Sequence, residues 1–468
     1  MRARRAGRGA LTAFVAMAAL VTAAGAATPL VRASEGASPF APGCDGGAEA
    51  GTNYANSEVE VRVAVDQRNP AHAVGVWQQD RWSTGAAHGL VAATTADGVH
   101  WSRGFAHFSR CSGGTAANNG DYPRASDPWV DIAPDGAVYQ TSLSVNLSDV
   151  STAVLVSRSG DGGATWGEPV VVQRDKGNAF NDKESLTADP TDATGRRVFV
   201  VWDRLEGPGL PGGGRTPLPL IPARGPAWFA RTTDGGATWE PGRPIFDPGP
   251  GRQTIGNQIV VLPDGTLLDG FAFGSGTLER EDGGEGGVPG EGGDSGLAGH
   301  GATADTPGDL PLDPEAQSPI GFSVGVTRST DHGRTWSPPV IVGEMRSTEN
   351  SARLRAGQVL PAFAVDPRSG AVAAVWLDGR FDTSRRAGVA LATSADGGRT
   401  WTAPQRVNQT PAGVTAFLPS VAFAPDGTLG VGYYDLRNRA VNDPALTTDV
   451  WLATCPRGCG AAGPWRES

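Results

Sequence analysis

Four short segments of the sequence place an Asp one or two residues before an Arg: "QDRW", "WDRL", "LDGRF" and "YDLRN". A guanidinium group presents a planar fork of donors that binds a carboxylate through two hydrogen bonds, which Lys cannot do. If these segments lie side by side in the fold, their Arg side chains form a mouth for an anionic ligand. The alternative interpretation is that each Asp–Arg pair only orders its own turn. The predicted mouth consists of Arg81, Arg380 and Arg437, together with Arg62 from the strand before Arg81.

Short apolar strands must position these segments, as in "AVGVW", "VFVVW", "VAAVW" and "LGVGYY". Apolar runs of this length, interrupted by Gly, Pro, Asn and Asp every roughly 8–12 residues, are typical of an all-β protein. One apolar strand precedes each of these runs and two more follow it. The pattern therefore predicts six repeats of four strands, whose first strands begin near Val61, Asp127, Glu184, Asn257, Pro361 and Pro419.

A repeated turn lies between the third and fourth predicted strands, and its clearest copy is "SGDGGATW", Ser159 to Trp166. The Asp can accept hydrogen bonds from the backbone that follows it, and the Gly pair permits the positive φ of a tight hairpin. The Trp supplies an apolar plate for packing beneath the turn. We therefore predict a structural and not a catalytic role for the Asp residues of the five copies: Asp97, Asp161, Asp234, Asp331 and Asp396.

The spacing of these turns predicts the architecture. Trp101 and Trp166 are 65 residues apart, as are Trp336 and Trp401, and Trp465 follows 64 residues later. Repeats of this size with four strands each are the signature of a propeller. We expect one six-bladed β-propeller domain over residues 51–468.

The N-terminus reads as an export signal. Four Arg residues precede an apolar run from Ala10, and "AGA" then offers a small-residue cleavage site. We predict a signal peptide over residues 1–26, an N-terminal extension over 27–50 and a secreted product without a membrane span. Removal of the signal peptide would change the net charge from -10 to -14, so the sequence predicts no basic surface of the kind that binds nucleic acid.

The insertion at 275–318 is Gly-rich and acidic, as in "EREDGGEGGVPGEGGDSG". We interpret it as a passive loop or, alternatively, as a lid that restricts entry. The four Cys residues of an exported chain predict two disulfides. We expect Cys455 with Cys459 in the last hairpin, and Cys44 with Cys111 between the N-terminal extension and the first repeat.

The repeated turns resemble the Asp-boxes of bacterial neuraminidase-repeat proteins, especially secreted sialidases. The resemblance covers almost the whole predicted mature chain and implies a six-bladed propeller. It also implies a glycoside hydrolase that clamps an acidic sugar with Arg side chains and uses Tyr as nucleophile. Carried onto this chain, the resemblance implies Tyr434 as nucleophile, Glu184 as its activating acid and Asp80 as the acid/base group.

Two functions therefore follow from the sequence. The first is a secreted exo-α-sialidase-like hydrolase that acts as a monomer on extracellular acidic glycans, with no cofactor and no metal. The alternative is a non-catalytic propeller that binds glycans or proteins outside the cell. Phe417 stands where the family's Tyr is expected, and no Asp follows Arg81 closely. These two departures favour the alternative, while the predicted Arg mouth favours an anionic ligand in either case.

Overall fold

The computed structural model describes residues 31–47, 51–207, 224–274, 319–346, 348, 354, 357–440, 447–456 and 463–468. Residues Ala33–Ser468 form one compact unit. The predicted signal peptide and the 275–318 insertion lie outside the described residues. None of the helices in the described ranges is long and apolar enough to cross a membrane.

The structure is all-β, and its strands fall into six antiparallel groups of four, here called meanders 1 to 6. Meander 1 contains β1 (Asn53–Val65), β2 (Ala73–Trp82), β3 (Ala87–Thr95) and β4 (Trp101–Gly104). Meander 2 contains β5 (Arg124–Ile132), β6 (Val138–Asn146), β7 (Ser151–Ser159) and β8 (Val170–Lys176). Meander 3 contains β9 (Ala179–Ala188), β10 (Val198–Glu206), β11 (Ala227–Thr232) and β12 (Arg243–Phe246).

The second half of the chain continues this order. Meander 4 contains β13 (Gln253–Val261), β14 (Leu267–Gly274), β15 (Pro319–Ser329) and β16 (Val340–Arg346). Meander 5 contains β17 (Ala362–Val365), β18 (Val372–Asp378), β19 (Gly388–Ser394) and β20 (Gln405–Arg406). Meander 6 contains β21 (Ala416–Phe423), β22 (Leu429–Asp435), β23 (Asp449–Cys455) and β24 (Arg466–Glu467).

The first strands of successive meanders contact one another, from β1 to β5, β9, β13, β17 and β21. Meanders 1 and 2 also share one sheet through the pairing of Ala87 with Ala125. Each first strand therefore lies beside the first strand of the next meander, so side chains at corresponding positions of neighbouring first strands come together.

The core lies between the meanders because side chains alternate between the two faces of each strand. In β10, Val200 and Trp202 pack against meander 2, whereas Phe199 and Val201 pack against meander 4. Trp202 is fully buried, and its Nε1 donates a hydrogen bond to Asn181 Oδ1 at 2.8 Å. Strands that bury both faces explain the nearly continuous apolar runs of the sequence.

The first and last meanders each leave one apolar face exposed. Val61, Val63 and Val65 alternate along β1 and are 63%, 54% and 43% exposed. In meander 6 the corresponding exposed side chains are Leu418, Tyr434, Val450 and Leu452. Contiguous apolar patches of this kind mark surfaces that another surface covers.

The repeated turns are held by their Asp side chains. Asp161 Oδ1 accepts a hydrogen bond from the backbone N–H of Thr165 at 2.9 Å, and Oδ2 accepts one from Thr165 Oγ1 at 2.6 Å. Gly162 and Gly163 have φ of 74° and 90°. Trp166 packs beneath the turn against the cores of meanders 1 and 2. The carboxylates of Asp97, Asp234, Asp331 and Asp396 accept equivalent backbone bonds.

Replacing Asp161 by Ala is expected to lower the free energy of unfolding by about 1–2 kcal/mol at pH 7, because the hydrogen bonds from Ser159 Oγ and from the N–H and Oγ1 of Thr165 are lost. The bonds from Thr165 lower the pKa of Asp161 to about 2. A carboxyl whose pKa is depressed in the folded state stabilises above its unfolded value near 4 and loses that effect as the pH falls through 2. Denaturation at pH 7 and pH 2.5 should therefore show a smaller difference between mutant and wild type in acid. An equal difference at both pH values would contradict this role.

The N-terminal segment, residues 33–47, is fastened to meander 1. The structure contains a Cys44–Cys111 disulfide, and Phe40 is buried against Trp77 and Val91. Cys455 is also disulfide-bonded, but Cys459, its predicted partner, lies outside the described residues.

Candidate functional site

A left-handed residue recurs in the first strands. Glu60, Asp127 and Lys183 have φ of 56°, 49° and 47°, and each lies at an irregularity in the pairing of its first strand with its second. Leu418 of β21 has φ of 50° at the same kind of irregularity. Positive φ is unfavourable for residues other than Gly, and such strain concentrates at functional sites. The backbone conformation alone therefore indicates these positions as candidates for a functional site.

Three of these residues bring their side chains together. Lys183 Nζ lies 2.6 Å from Asp127 Oδ1 and 3.5 Å from Glu60 Oε2. The Glu60 carboxylate lies close enough to Asp127 to raise the pKa of that carboxyl group. With the neighbouring Asp182 and Glu184, they form what is here called the carboxyl–lysine cluster, contributed by the first strands of meanders 1, 2 and 3.

Meander 1 supplies a polar support for the cluster. Gln78 Nε2 donates to Glu60 Oε2 at 2.7 Å and to Ser126 Oγ at 2.9 Å. Arg81 NH1 donates to Gln78 Oε1 at 2.7 Å and lies 4.0 Å from Glu60 Oε1. These contacts fix the orientation of the Glu60 carboxylate.

Burial sets the protonation states in the cluster. Desolvation raises the pKa of Asp127 to about 7; the charge of Lys183 opposes this rise, and those of Glu60 and Asp182 add to it. Burial, followed by the charge of Asp127, raises the pKa of Glu184 well above its ordinary value. Glu184 is 2% exposed, and neither of its carboxyl oxygens has a hydrogen-bond partner. The site therefore holds protonated carboxyl groups near neutral pH.

The cluster can carry out proton transfer at neutral pH. A carboxyl group with a pKa near 7 is poised as a general acid, and an adjacent ionised carboxylate can act as nucleophile or base. Asp127 is buried, with 6% of its side chain exposed, whereas the side chains of Lys183 and Glu60 beside it are 22% and 17% exposed. A ligand at the surface can therefore reach the reacting groups.

Two of the residues predicted from sequence lie at the cluster: Glu184 within it, and Arg81 beside Glu60. Arg62 lies elsewhere, because its guanidinium carbon stacks 3.5 Å above the centroid of the Trp129 ring. Burial lowers the pKa of Arg62 to about 10, and the charge of Asp131 opposes this decrease.

The other two predicted Arg residues are engaged by the Asp of their own segments. Arg380 Nε and NH2 both donate to Asp378 at 2.8 Å. Arg437 Nε donates to Asp435 Oδ2 at 2.6 Å, and its NH1 donates to Glu467 Oε2 at 2.6 Å. These contacts correspond to the alternative interpretation, in which each pair orders its own turn.

Tyr434 and Asp80 have contacts of a structural kind. Tyr434 is 38% exposed and stacks on Phe417 with ring centroids 5.6 Å apart. Asp80 is buried and accepts hydrogen bonds from Ser38 Oγ at 2.5 Å and from the backbone N–H of Asn56 at 2.7 Å. Burial acts to raise the pKa of Asp80, but these bonds and the contact with His88 bring it below its ordinary value. Asp80 therefore anchors the N-terminal segment as an ionised group.

Sequence reasoning gives no role to Glu60, Asp127 and Lys183, which lie at or just before the predicted starts of their first strands. The available signal was the presence of charged residues in otherwise apolar first strands, as in "SDPWV" and "NDKESL". Among the described residues, one group of Cys and His has metal-ligand spacing, namely Cys44, His88 and Cys111. Its two sulfur atoms form the disulfide, so it offers no thiolate to a metal.

Comparison with known proteins gives a partial match. No family model matches the chain. The chain is 27% identical over 337 residues to a sialidase from Micromonospora viridifaciens, covering 67% of this chain and 50% of that protein. By sequence, this chain is sialidase-like. It spans about half the length of that relative.

Two solved structures are similar to this sialidase-like chain. A Hadza microbial sialidase shares 17% identity and a TM-score of 0.44, with coverage of 81% of this chain and 65% of that one. An α-L-arabinofuranosidase from Fusarium graminearum shares 13% identity and a TM-score of 0.49, with coverage of 85% and 93%.

Proposed function

We propose that the chain is a secreted glycoside hydrolase whose reacting groups are in the carboxyl–lysine cluster. The observation that carries the proposal is the contact of Asp127, which holds a proton near neutral pH, with the Glu60 carboxylate and with Lys183. Glycoside hydrolysis needs such a pair, with one carboxyl as proton donor and one as carboxylate. The sequence similarity to a sialidase agrees with this reaction class.

The reaction has two steps. Asp127 donates its proton to the glycosidic oxygen, the bond to the anomeric carbon breaks, and the Glu60 carboxylate forms an ester with that carbon. Asp127, now ionised, takes a proton from a water molecule that hydrolyses the ester and releases Glu60. Because Asp127 and Glu60 both contact Lys183, they lie too close together to leave room for the water of the inverting route, which uses a separation of about 6.5–9.5 Å, and we therefore propose the retaining route.

The charge of the cluster favours a neutral glycoside. Lys183 contacts the carboxyl groups of Asp127 and Glu60, and Arg81 lies 4.0 Å from Glu60, so these cations already face carboxylates and an incoming sugar carboxylate would have to compete with them. Exo-α-sialidase activity on acidic glycans is the second candidate, and the sialidase relative is the observation that favours it. In that case Arg81 would be the group that contacts the sugar acid.

We further propose that the six meanders close into a six-bladed propeller, with the repeated turns as Asp-boxes. The exposed valines of β1 and the exposed apolar side chains of meander 6 support this closure, because each face is of the kind that the other would cover. The Cys44–Cys111 disulfide and the N-terminal sequence support export.

Assays with chromogenic glycosides test the activity. We expect release of the chromophore from at least one neutral pentoside or hexoside, with proton NMR showing that the first-formed sugar retains its anomeric configuration. The matched substrate is the sialoside with the same leaving group, for which we expect a lower kcat/KM.

Each other outcome excludes part of the proposal. A faster reaction with the sialoside would favour the second candidate, and inversion would exclude Glu60 as nucleophile. Glycan binding without turnover of any substrate would leave the chain as a binding module.

A further inference from the structure

The face of meander 4 that packs against meander 3 carries three buried polar side chains far along the chain from the carboxyl–lysine cluster. Asp269 of β14 pairs directly with Thr327 of β15 on one side and with Ile259 of β13 on the other. Ile259 packs against Phe199 and Val201 of meander 3, so directly opposed Asp269 and Thr327 face the same way.

Asn257 belongs to the same face. It lies two residues before Ile259 in β13, and its side-chain amide Nδ2 donates to Asp203 Oδ1 of meander 3 and to Thr254 Oγ1. These two bonds fix the orientation of the Asn257 amide, so that its oxygen Oδ1 lies on the side away from these two partners. Gln258, between Asn257 and Ile259, bonds instead to the backbone of Phe363 in meander 5.

Four oxygen atoms of this face have no hydrogen-bond partner. They are both carboxyl oxygens of Asp269, Oγ1 of Thr327 and Oδ1 of Asn257. Asp269 and Thr327 are 0% exposed, and Asn257 is 1% exposed. Buried polar atoms are almost always satisfied, and unsatisfied ones indicate an additional partner.

The charges around Asp269 also indicate a cationic partner. Asp203 lies near enough for its charge to act on Asp269, and Asp203 accepts bonds from Thr254 Oγ1 and the backbone N–H of Gly256, both at 3.0 Å. In the part of the chain that the structure describes, no Lys or Arg contacts either carboxyl group. Asp203 lies near the end of β10, the second strand of meander 3. By contrast, the Asp residues that end the second strands of meanders 5 and 6, Asp378 and Asp435, each bind an Arg.

We propose that Asp269, Thr327 and Asn257 bind a hard divalent cation, with Ca²⁺ as the species available outside the cell. Carboxylate, hydroxyl and amide oxygens are the ligands that Ca²⁺ prefers, and two carboxylates balance its charge. A single proton would supply one hydrogen bond, whereas one cation can coordinate several oxygens at once. The ion would join meanders 3 and 4 and would have no part in the hydrolytic step.

Equilibrium dialysis of the full chain with radioactive Ca²⁺ tests this site directly. We expect one ion per wild-type chain and none per chain of Asp269→Asn. After treatment with a chelator, added Ca²⁺ should raise the unfolding midpoint of the wild type by about 2–5 °C and leave that of Asp269→Asn unchanged. Asp247→Asn, which changes an exposed carboxylate just after β12, is the matched control and should behave like the wild type.

A second, milder substitution tests the site if Asp269→Asn does not fold. Thr327→Val keeps the shape of the side chain, and we expect it to weaken Ca²⁺ binding about tenfold or more. No bound Ca²⁺ in the wild type would overturn the proposal. The pair Asp203 and Asp269 would then share a proton, and Asp269→Asn would be as stable as the wild type. Because the readout is binding, this result is independent of whether any glycoside is hydrolysed.

Discussion

Replacing Asp127 by Asn is expected to lower kcat/KM by about 10²–10⁴-fold, because the amide cannot donate a proton to the leaving group. The effect should be smaller for a glycoside whose leaving group is already a weak base, such as a nitrophenolate, than for one with an alcohol leaving group. Measuring both substrates with wild type and variant separates loss of acid catalysis from loss of folding.

The pH dependence provides the second readout. A general acid works in its protonated form, and burial raises the pKa of Asp127 to about 7. We therefore expect the kcat/KM of the wild type to fall as the pH rises through 7, and the profile of Asp127→Asn to be flat there. Asp131→Asn is the control, since it changes a carboxyl on the same strand that bonds to the backbone of Ala188. An Asp127 variant with wild-type rates would remove the cluster from the mechanism.

Replacing Val63 by Asp is expected to lower the free energy of unfolding by about 2–4 kcal/mol if the six meanders close into a ring. In a closed ring this side chain lies between β1 and meander 6, and a carboxylate there would lose its hydration. The measurement is the midpoint of chemical denaturation at pH 7.

Val99→Asp is the control for this experiment. Val99 is as exposed as Val63, at 54%, but lies in a hairpin turn and not on the face of β1. We expect a change within about 0.5 kcal/mol. An equally small change for Val63→Asp would show that the face of β1 is open to solvent, and closure would be wrong.

The sequence allowed the strands and turns to be predicted because both follow local rules. Apolar runs bounded by Gly, Pro and Asp specify short strands, and the Asp, Gly and Trp of "SGDGGATW" specify a hairpin through bonds that span only four residues. The pairing of Cys44 with Cys111 spans 67 residues, but with few Cys residues the choice is small.

The candidate site was harder to predict because its residues meet across three meanders. Nothing local distinguishes Asp127 or Lys183 from a solvated strand residue, since burial and the mutual contact arise only when the first strands pack together. The Asp–Arg segments show the converse, because the alternative that the sequence left open, a local pair such as Asp378 with Arg380, depends only on residues close in the chain. A short spacing between an acid and a base favours their own ion pair over a shared pocket.

The left-handed residues of the first strands have a consequence for how such a protein can change. Glu60, Asp127, Lys183 and Leu418 occupy equivalent backbone positions, and Gly256 has the same conformation in β13. Each position has already accepted a different side chain while the apolar layers between meanders remain intact. Natural variation can thus exchange one of these side chains at a time without disturbing the core between the meanders.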